Sequence, residues 1–187
     1  MIKRSISGRR LAVACVAALA AAVPLATTAY AGPAAPDVPA TIAVEDGHKV
    51  FLVGHAVGVQ IYSCNATATG FGWGLVAPRA NLYDDKGKLI VTHFGGPTWQ
   101  AKDGSRVVGQ RVDQAPADNA IPWLLLSATS TSAGPDGDRL AHTTFIQRIA
   151  TTGGLAPAAG ECNSVTAGDI REIPYTADYY FWKRSGS

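Results

Sequence analysis

Between residues 41 and 182 apolar and polar positions alternate in short runs cut by Gly, Pro, Asp and Asn, and no window carries the 3.6-residue period of a convincing amphipathic helix. Residues 41–44 read as a short first strand. Residues 49–64 read as two strands, or one bent strand with a bulge, because Gly54 and Gly58 interrupt a run rich in Val, Ile and Tyr. In its second half Val57, Val59 and Ile61 share one face, and Gln60, Tyr62 and Cys64 share the other. Both faces are expected to be partly buried, so Gln60 needs hydrogen-bond partners. Phe71, Trp73 and Leu75 alternate with Gly72 and Gly74 and are expected to face the core. Residues 80–83, the turn Asp84-Asp85-Lys86-Gly87 and residues 89–94 form the clearest hairpin signal in the chain.

The stretch His93-Phe94-Gly95-Gly96-Pro97-Thr98-Trp99-Gln100, followed by Asp103-Gly104-Ser105, stands at the centre of this pattern. It reads as a shaped Gly/Pro loop and a tight turn, with strands before and after it. Residues 106–112 make a strand. Residues 121–128 make a buried strand with Pro122 at its start. Residues 142–151 alternate, with Thr144, Ile146 and Arg148 on one side and Phe145, Gln147 and Ile149 on the other. A last strand falls near 178–182, and a short helix is expected, if anywhere, near 165–170. The fold class is all-β: a single domain over 41–184, either a β-sandwich or a partly closed barrel with long loops.

The N-terminus changes the charge and the compartment. Lys3, Arg4, Arg9 and Arg10 precede an apolar run over 11–25, and Ala29-Tyr30-Ala31 is a small-x-small site before Gly32. This pattern is a secretory signal peptide over 1–31, cleaved after Ala31, which makes the protein secreted or extracellular. A Pro- and Ala-rich leader over 32–40 reads as flexible. The formal charge of the whole chain is +2, from 16 Lys and Arg against 14 Asp and Glu. Removal of the four basic residues of the signal leaves 12 against 14, or −2. No basic stripe remains, so nucleic acid is not an expected partner. No later run approaches the about 18 apolar residues of a membrane helix, so no integral membrane segment is expected after cleavage.

Two cysteines follow the signal, Cys64 and Cys162. An even pair in an exported chain suggests a disulfide, the alternative being two buried free thiols. Closing a loop of about 100 residues stabilises by about 4–5 kcal/mol in the simple chain-entropy treatment.

Several of these markers together resemble a known family. They are Gly58-Val59-Gln60-Ile61-Tyr62-Ser63-Cys64, His93 to Trp99 with Asp103-Gly104-Ser105, Ile121-Pro122-Trp123-Leu124-Leu125-Leu126, Ile146-Gln147-Arg148, Thr152-Gly153-Gly154, Cys162 and the ending Tyr175-Thr176-Ala177-Asp178-Tyr179-Tyr180-Phe181. In this order they are similar to the secreted domain-of-unknown-function family 3455 of bacteria and fungi, over about residues 50–182. The resemblance implies export and one domain, and carries no activity with it. The dehydrogenase-like name borne by some fungal members finds no Gly-rich dinucleotide turn here.

Candidate chemistry is sparse. His93, Asp103 and Ser105 invite a Ser-His-Asp reading, but Ser105 sits in an Asp-Gly-Ser turn without a nucleophile elbow. The histidines at 48, 55, 93 and 142 show no ligand spacing, so neither a metal site nor a cofactor is expected. Trp99 lies beside Gln100 and Asp103 in the Gly/Pro stretch and is the best candidate for lining a ligand cleft, whereas Trp73 and Trp123 read as core. The expectation is a non-enzymatic extracellular module binding a small molecule or glycan through Gln60, His93, Trp99, Gln100 and Asp103. The alternatives are an extracellular enzyme using the region of His93 and Asp103, and a structural envelope protein without a ligand site.

Overall fold

The computed structural model of the protein describes residues 1–2 and 32–186, so the apolar run read as a signal peptide and the expected cleavage site lie outside the described residues. Eight strands follow one another: β1 (His48–Thr67), β2 (Gly70–Tyr83), β3 (Leu89–Phe94), β4 (Thr98–Ala101), β5 (Arg106–Ala115), β6 (Trp123–Ser132), β7 (Phe145–Gly153) and β8 (Ile170–Arg184). Each pairs antiparallel with the next, and β8 closes the ring on β1 from His48↔Arg184 to Ser63↔Ile170. One sheet therefore closes on itself, and no second sheet packs against it as in a sandwich. Closure leaves neither outermost strand as an open edge, and eight strands enclose an interior wide enough for side chains or one small ligand.

Residues 49–64 form one strand whose register shifts between Val50 and Leu52 and again between Ile61 and Tyr62. These irregularities bend β1 around the barrel. Small residues let it pass close to β2. A Cβ on Gly58 would lie 2.2 Å from the Arg79 carbonyl oxygen and 2.5 Å from the Ala80 Cα, so glycine is required there. The interior is packed by Leu52, Leu82, Val91, Trp99, Val107, Ile146, Phe181 and their neighbours.

A second apolar cluster lies on the other face of the sheet. The 3-10 turn Ala40–Ile42 places Ile42 against Ala115, Leu125 and Ile149, with Val38 packed beside them. This turn stands where a first short strand was expected, and the end of the Pro/Ala-rich leader is packed rather than free. Gln147 anchors it: its Nε2 donates to the Ile42 carbonyl at 2.7 Å, and its Oε1 accepts from Trp182 Nε1 at 2.8 Å. The loop from β7 to β8 holds a 3-10 turn at Ala159–Glu161 and no helix at 165–170. It is fastened to β1 by the Cys64–Cys162 disulfide, which spans 98 residues with Cα atoms 5.3 Å apart.

The wall of the barrel is uneven. β3 has six residues and β4 four, so β2 pairs with β3 only over Ala80–Tyr83, and β5 with β4 only over Arg106–Val108. Above the β3–β4 turn, the first part of β2 and the second part of β5 have no strand between them. Phe71, Trp73 and Leu75, expected to face the core, lie on this part of β2. Leu75 and Val76 are 59% and 58% exposed, and Phe71 is also exposed. Their alternation is real, but β1 alone flanks them there.

Candidate ligand cavity

The central stretch is a hairpin rather than an open loop: His93 on β3 pairs directly with Trp99 on β4, and Gly96 makes the turn between them with φ +86°. Side chains alternate along a strand. Trp99 therefore points into the barrel, where it is 1% exposed, and Gln100 lies on the other face of β4.

Inside the barrel is a cavity of about 310 Å³. Gln60 of β1, His93 of β3, Trp99 of β4, Arg148 of β7 and Tyr179 of β8 line it. Leu75 and Val76 of β2, Pro97 of the turn and Arg111 of β5 also line it. Arg111 and Pro97 are exposed like Leu75 and Val76, so the cavity meets solvent over the low wall of β3 and β4.

Three of the expected residues, Gln60, His93 and Trp99, thus border one cavity. Gln100 and Asp103 do not. The Asp103 carboxylate accepts from the Ser105 hydroxyl at 2.5 Å, the Ser105 amide at 3.0 Å and the Arg139 amide at 2.9 Å. Burial works to raise its carboxyl, and these hydrogen bonds outweigh that and hold it below the usual range. Ser105 in turn accepts from the Leu140 amide at 3.0 Å. Asp103 and Ser105 brace a turn against the β6–β7 connection, with no histidine among these partners.

His93 is fully buried. Its Nδ1–H donates to the Thr98 carbonyl at 2.9 Å, and its ring stacks on Trp99. Burial pushes its pKa down to about 3; the bond to Thr98 works against this and the charge of Arg148 adds to it. The ring is therefore neutral, with Nε2 an acceptor. Tyr62 donates to the Gly154 carbonyl at 2.7 Å, and the Tyr175 and Tyr179 hydroxyls lie 3.3 Å apart. Burial raises the pKa of all three phenols, against the opposing charge of Arg148, so they stay neutral.

Arg148 was not expected at the site. It is 9% exposed, and its Nη2 donates to the Pro122 carbonyl at 2.7 Å. The signal was available: the alternation of β7 places Arg148 on the same side as Ile146, whose face is core. An arginine in phase with a core isoleucine is either paired or functional. Three buried side-chain atoms of the described residues lack a hydrogen-bond partner: Gln60 Nε2, Trp99 Nε1 and Arg148 Nε. All three belong to residues lining this cavity.

Fold and cavity define a closed up-and-down β-barrel with a polar-tipped, largely apolar interior chamber. The family described as a protein of unknown function, DUF3455, matches over residues 45–183, and the chain belongs to it. Comparison with curated proteins and with solved structures finds no match.

Proposed function

We infer that this protein is an exported, non-enzymatic binding module that takes a small molecule into the barrel. One observation carries the reading: the three unpartnered buried polar atoms all belong to side chains around one chamber. A buried polar group without a partner costs about 1–3 kcal/mol, and native structures keep few of them. Their gathering around a single cavity of ligand size is accounted for by a molecule whose entry shifts these side chains and supplies their partners. The residues on which the alternative enzyme reading would rest support the same reading. His93 is neutral with Nδ1 committed to Thr98, and Asp103 is committed to its own turn.

Export rests on the N-terminal pattern, and the disulfide is compatible with an oxidising compartment. N-terminal sequencing of the protein recovered from culture medium is expected to begin at Gly32.

Binding is tested by thermal unfolding of the protein against a panel of glycans, lipids, metals and small organic acids. A ligand of the folded state raises Tm in proportion to the logarithm of its concentration over Kd. The expected result is a dose-dependent rise that is reduced in Trp99→Phe, which keeps a ring and removes the indole N–H. A panel without any such rise would remove the reading.

A further inference from the structure

We propose that the ligand of the barrel is an amphipathic monocarboxylate, its carboxylate held by Arg148 with Trp99 Nε1 and Gln60 Nε2, and its apolar body lying toward Leu75, Val76 and Pro97. This rests on the binding function inferred above and names the class of molecule bound.

The first argument is charge. Arg148 carries its cation into the barrel, and no aspartate or glutamate lines the cavity. The ion pairs among the described residues use other cations: His48, His55, Arg79, His142 and Arg171. His93, Tyr62, Tyr175 and Tyr179 feel the charge of Arg148, and all four are neutral. A buried charge without a counter-charge is strongly unfavourable. The only other charged group on the cavity wall is Arg111, again a cation, whose Nη1 donates to Gln114 Oε1 at 3.0 Å.

The second argument is hydrogen-bond sense. The indole N–H and the guanidinium Nε–H can only donate, and the unpartnered atom of Gln60 is its amide nitrogen. The ligand must therefore present acceptors at this end. A carboxylate offers two acceptor oxygens and the negative charge together, and an arginine fork matches it. A sugar could also accept from these donors, but it brings no charge to meet Arg148. Apart from His93, Tyr179 and Arg111, the rest of the wall is apolar, chiefly Leu75, Val76, Ala77, Pro78, Leu124 and Leu126. A single ionic head on an apolar body fits that division.

The test compares acids with their uncharged analogues by calorimetry and thermal unfolding at pH 7. Octanoic and 3-phenylpropanoic acids are set against 1-octanol and 3-phenylpropan-1-ol. With the wild-type protein, at least one acid is expected to bind more than tenfold tighter than its alcohol. In Arg148→Met that preference is expected to vanish, because the acid loses far more affinity than the alcohol. Alcohols binding as tightly as acids would overturn the carboxylate assignment and leave the binding function standing. Retention of the acid preference in Arg148→Met would do the same. If neither acids nor alcohols bind, the carboxylate assignment falls, and the glycan and lipid arms of the panel then decide the binding function separately. The acid–alcohol comparison on wild-type protein needs no variant and stands even if Arg148→Met does not fold.

Discussion

The imidazole of His93 lies flat on the indole of Trp99, with ring centroids 4.2 Å apart and planes 6° from parallel. Tyr179 packs against both rings, at 5.3 Å from His93 and 5.7 Å from Trp99. The stack fixes one wall of the cavity and keeps His93 neutral by burial. Its folded pKa of about 3 lies below the unfolded value near 6.5. Between those values the unfolded chain binds the extra proton. Stability from this group is therefore complete above pH 6.5 and lost as pH falls toward 3, at up to about 1.4 kcal/mol per pH unit. Urea unfolding from pH 4 to 7 is expected to show this slope, reduced by one proton in His93→Phe. Equal slopes in the two proteins would refute it.

His55 behaves in the opposite sense. Its Nδ1 meets Asp178 at 2.7 Å and its Nε2 meets Asp85 at 2.9 Å. The hydrogen bonds to Asp85 and Asp178 raise its pKa, more than burial lowers it. Its contribution is present below the unfolded pKa near 6.5 and fades as pH rises through the higher folded value. The side chain is 45% exposed, so solvent screening limits the effect to a few tenths of a kcal/mol. Titration of the His55 ring by NMR is expected to give a midpoint above 6.5, returning toward 6.5 in Asp178→Asn.

Arg148→Met removes a buried cation that lacks a protein counter-charge. A buried charge without a counter-charge is costly, so an apolar side chain of similar length removes an unfavourable contribution. The ligand-free variant is thus expected to unfold at the wild-type temperature or above it, despite the lost bond to the Pro122 carbonyl. A fall in Tm of several degrees would mean that Arg148 is needed for the fold itself.

The disulfide fastens the β7–β8 connection to the end of β1. The double variant Cys64→Ala, Cys162→Ala is expected to lose about 2–5 kcal/mol. Guanidinium unfolding with and without reductant measures the same quantity on the wild-type chain, and the two values are expected to agree.

Two glycines should respond oppositely to alanine. At Gly58 the new methyl would overlap the backbone of Arg79 and Ala80, which cannot retreat without moving β2. The expected loss is about 3 kcal/mol or more. At Gly72 the nearest atom is Thr67 Cγ2 at 3.6 Å, an ordinary contact, and Gly72→Ala is expected to be nearly neutral. Similar Tm values for the two variants would show that β1 and β2 are not held this closely.

Alternation and turn chemistry are local properties, and the elements that rest on them were legible. The β2–β3 hairpin, the long bent β1, the β6 strand with Pro122 before it and the alternating faces of β7 follow from residues within a few positions of one another, although of β6 only Leu125 and Leu126 are buried. Trp99 and Trp73 are placed by contacts beyond that range. Trp99, in a Gly/Pro stretch, becomes the most deeply buried tryptophan, because its four-residue strand turns it inward. Trp73, in an apolar alternation, is only half-buried, because the strand beside it ends too soon.

The sequence by itself determined the all-β class, the cysteine pair and the residue types around the central stretch, since these depend on period, composition and turn residues. Only the tertiary structure decided that one sheet closes into a barrel and that β1, β3, β4, β7 and β8 meet around a chamber. It also separated Gln60, His93 and Trp99 from Gln100 and Asp103, and brought Arg148 in beside them. The physical reason is closure itself. Which face of each strand turns inward is set once for the whole ring, by pairings between residues as far apart as Gln60 and Ile173.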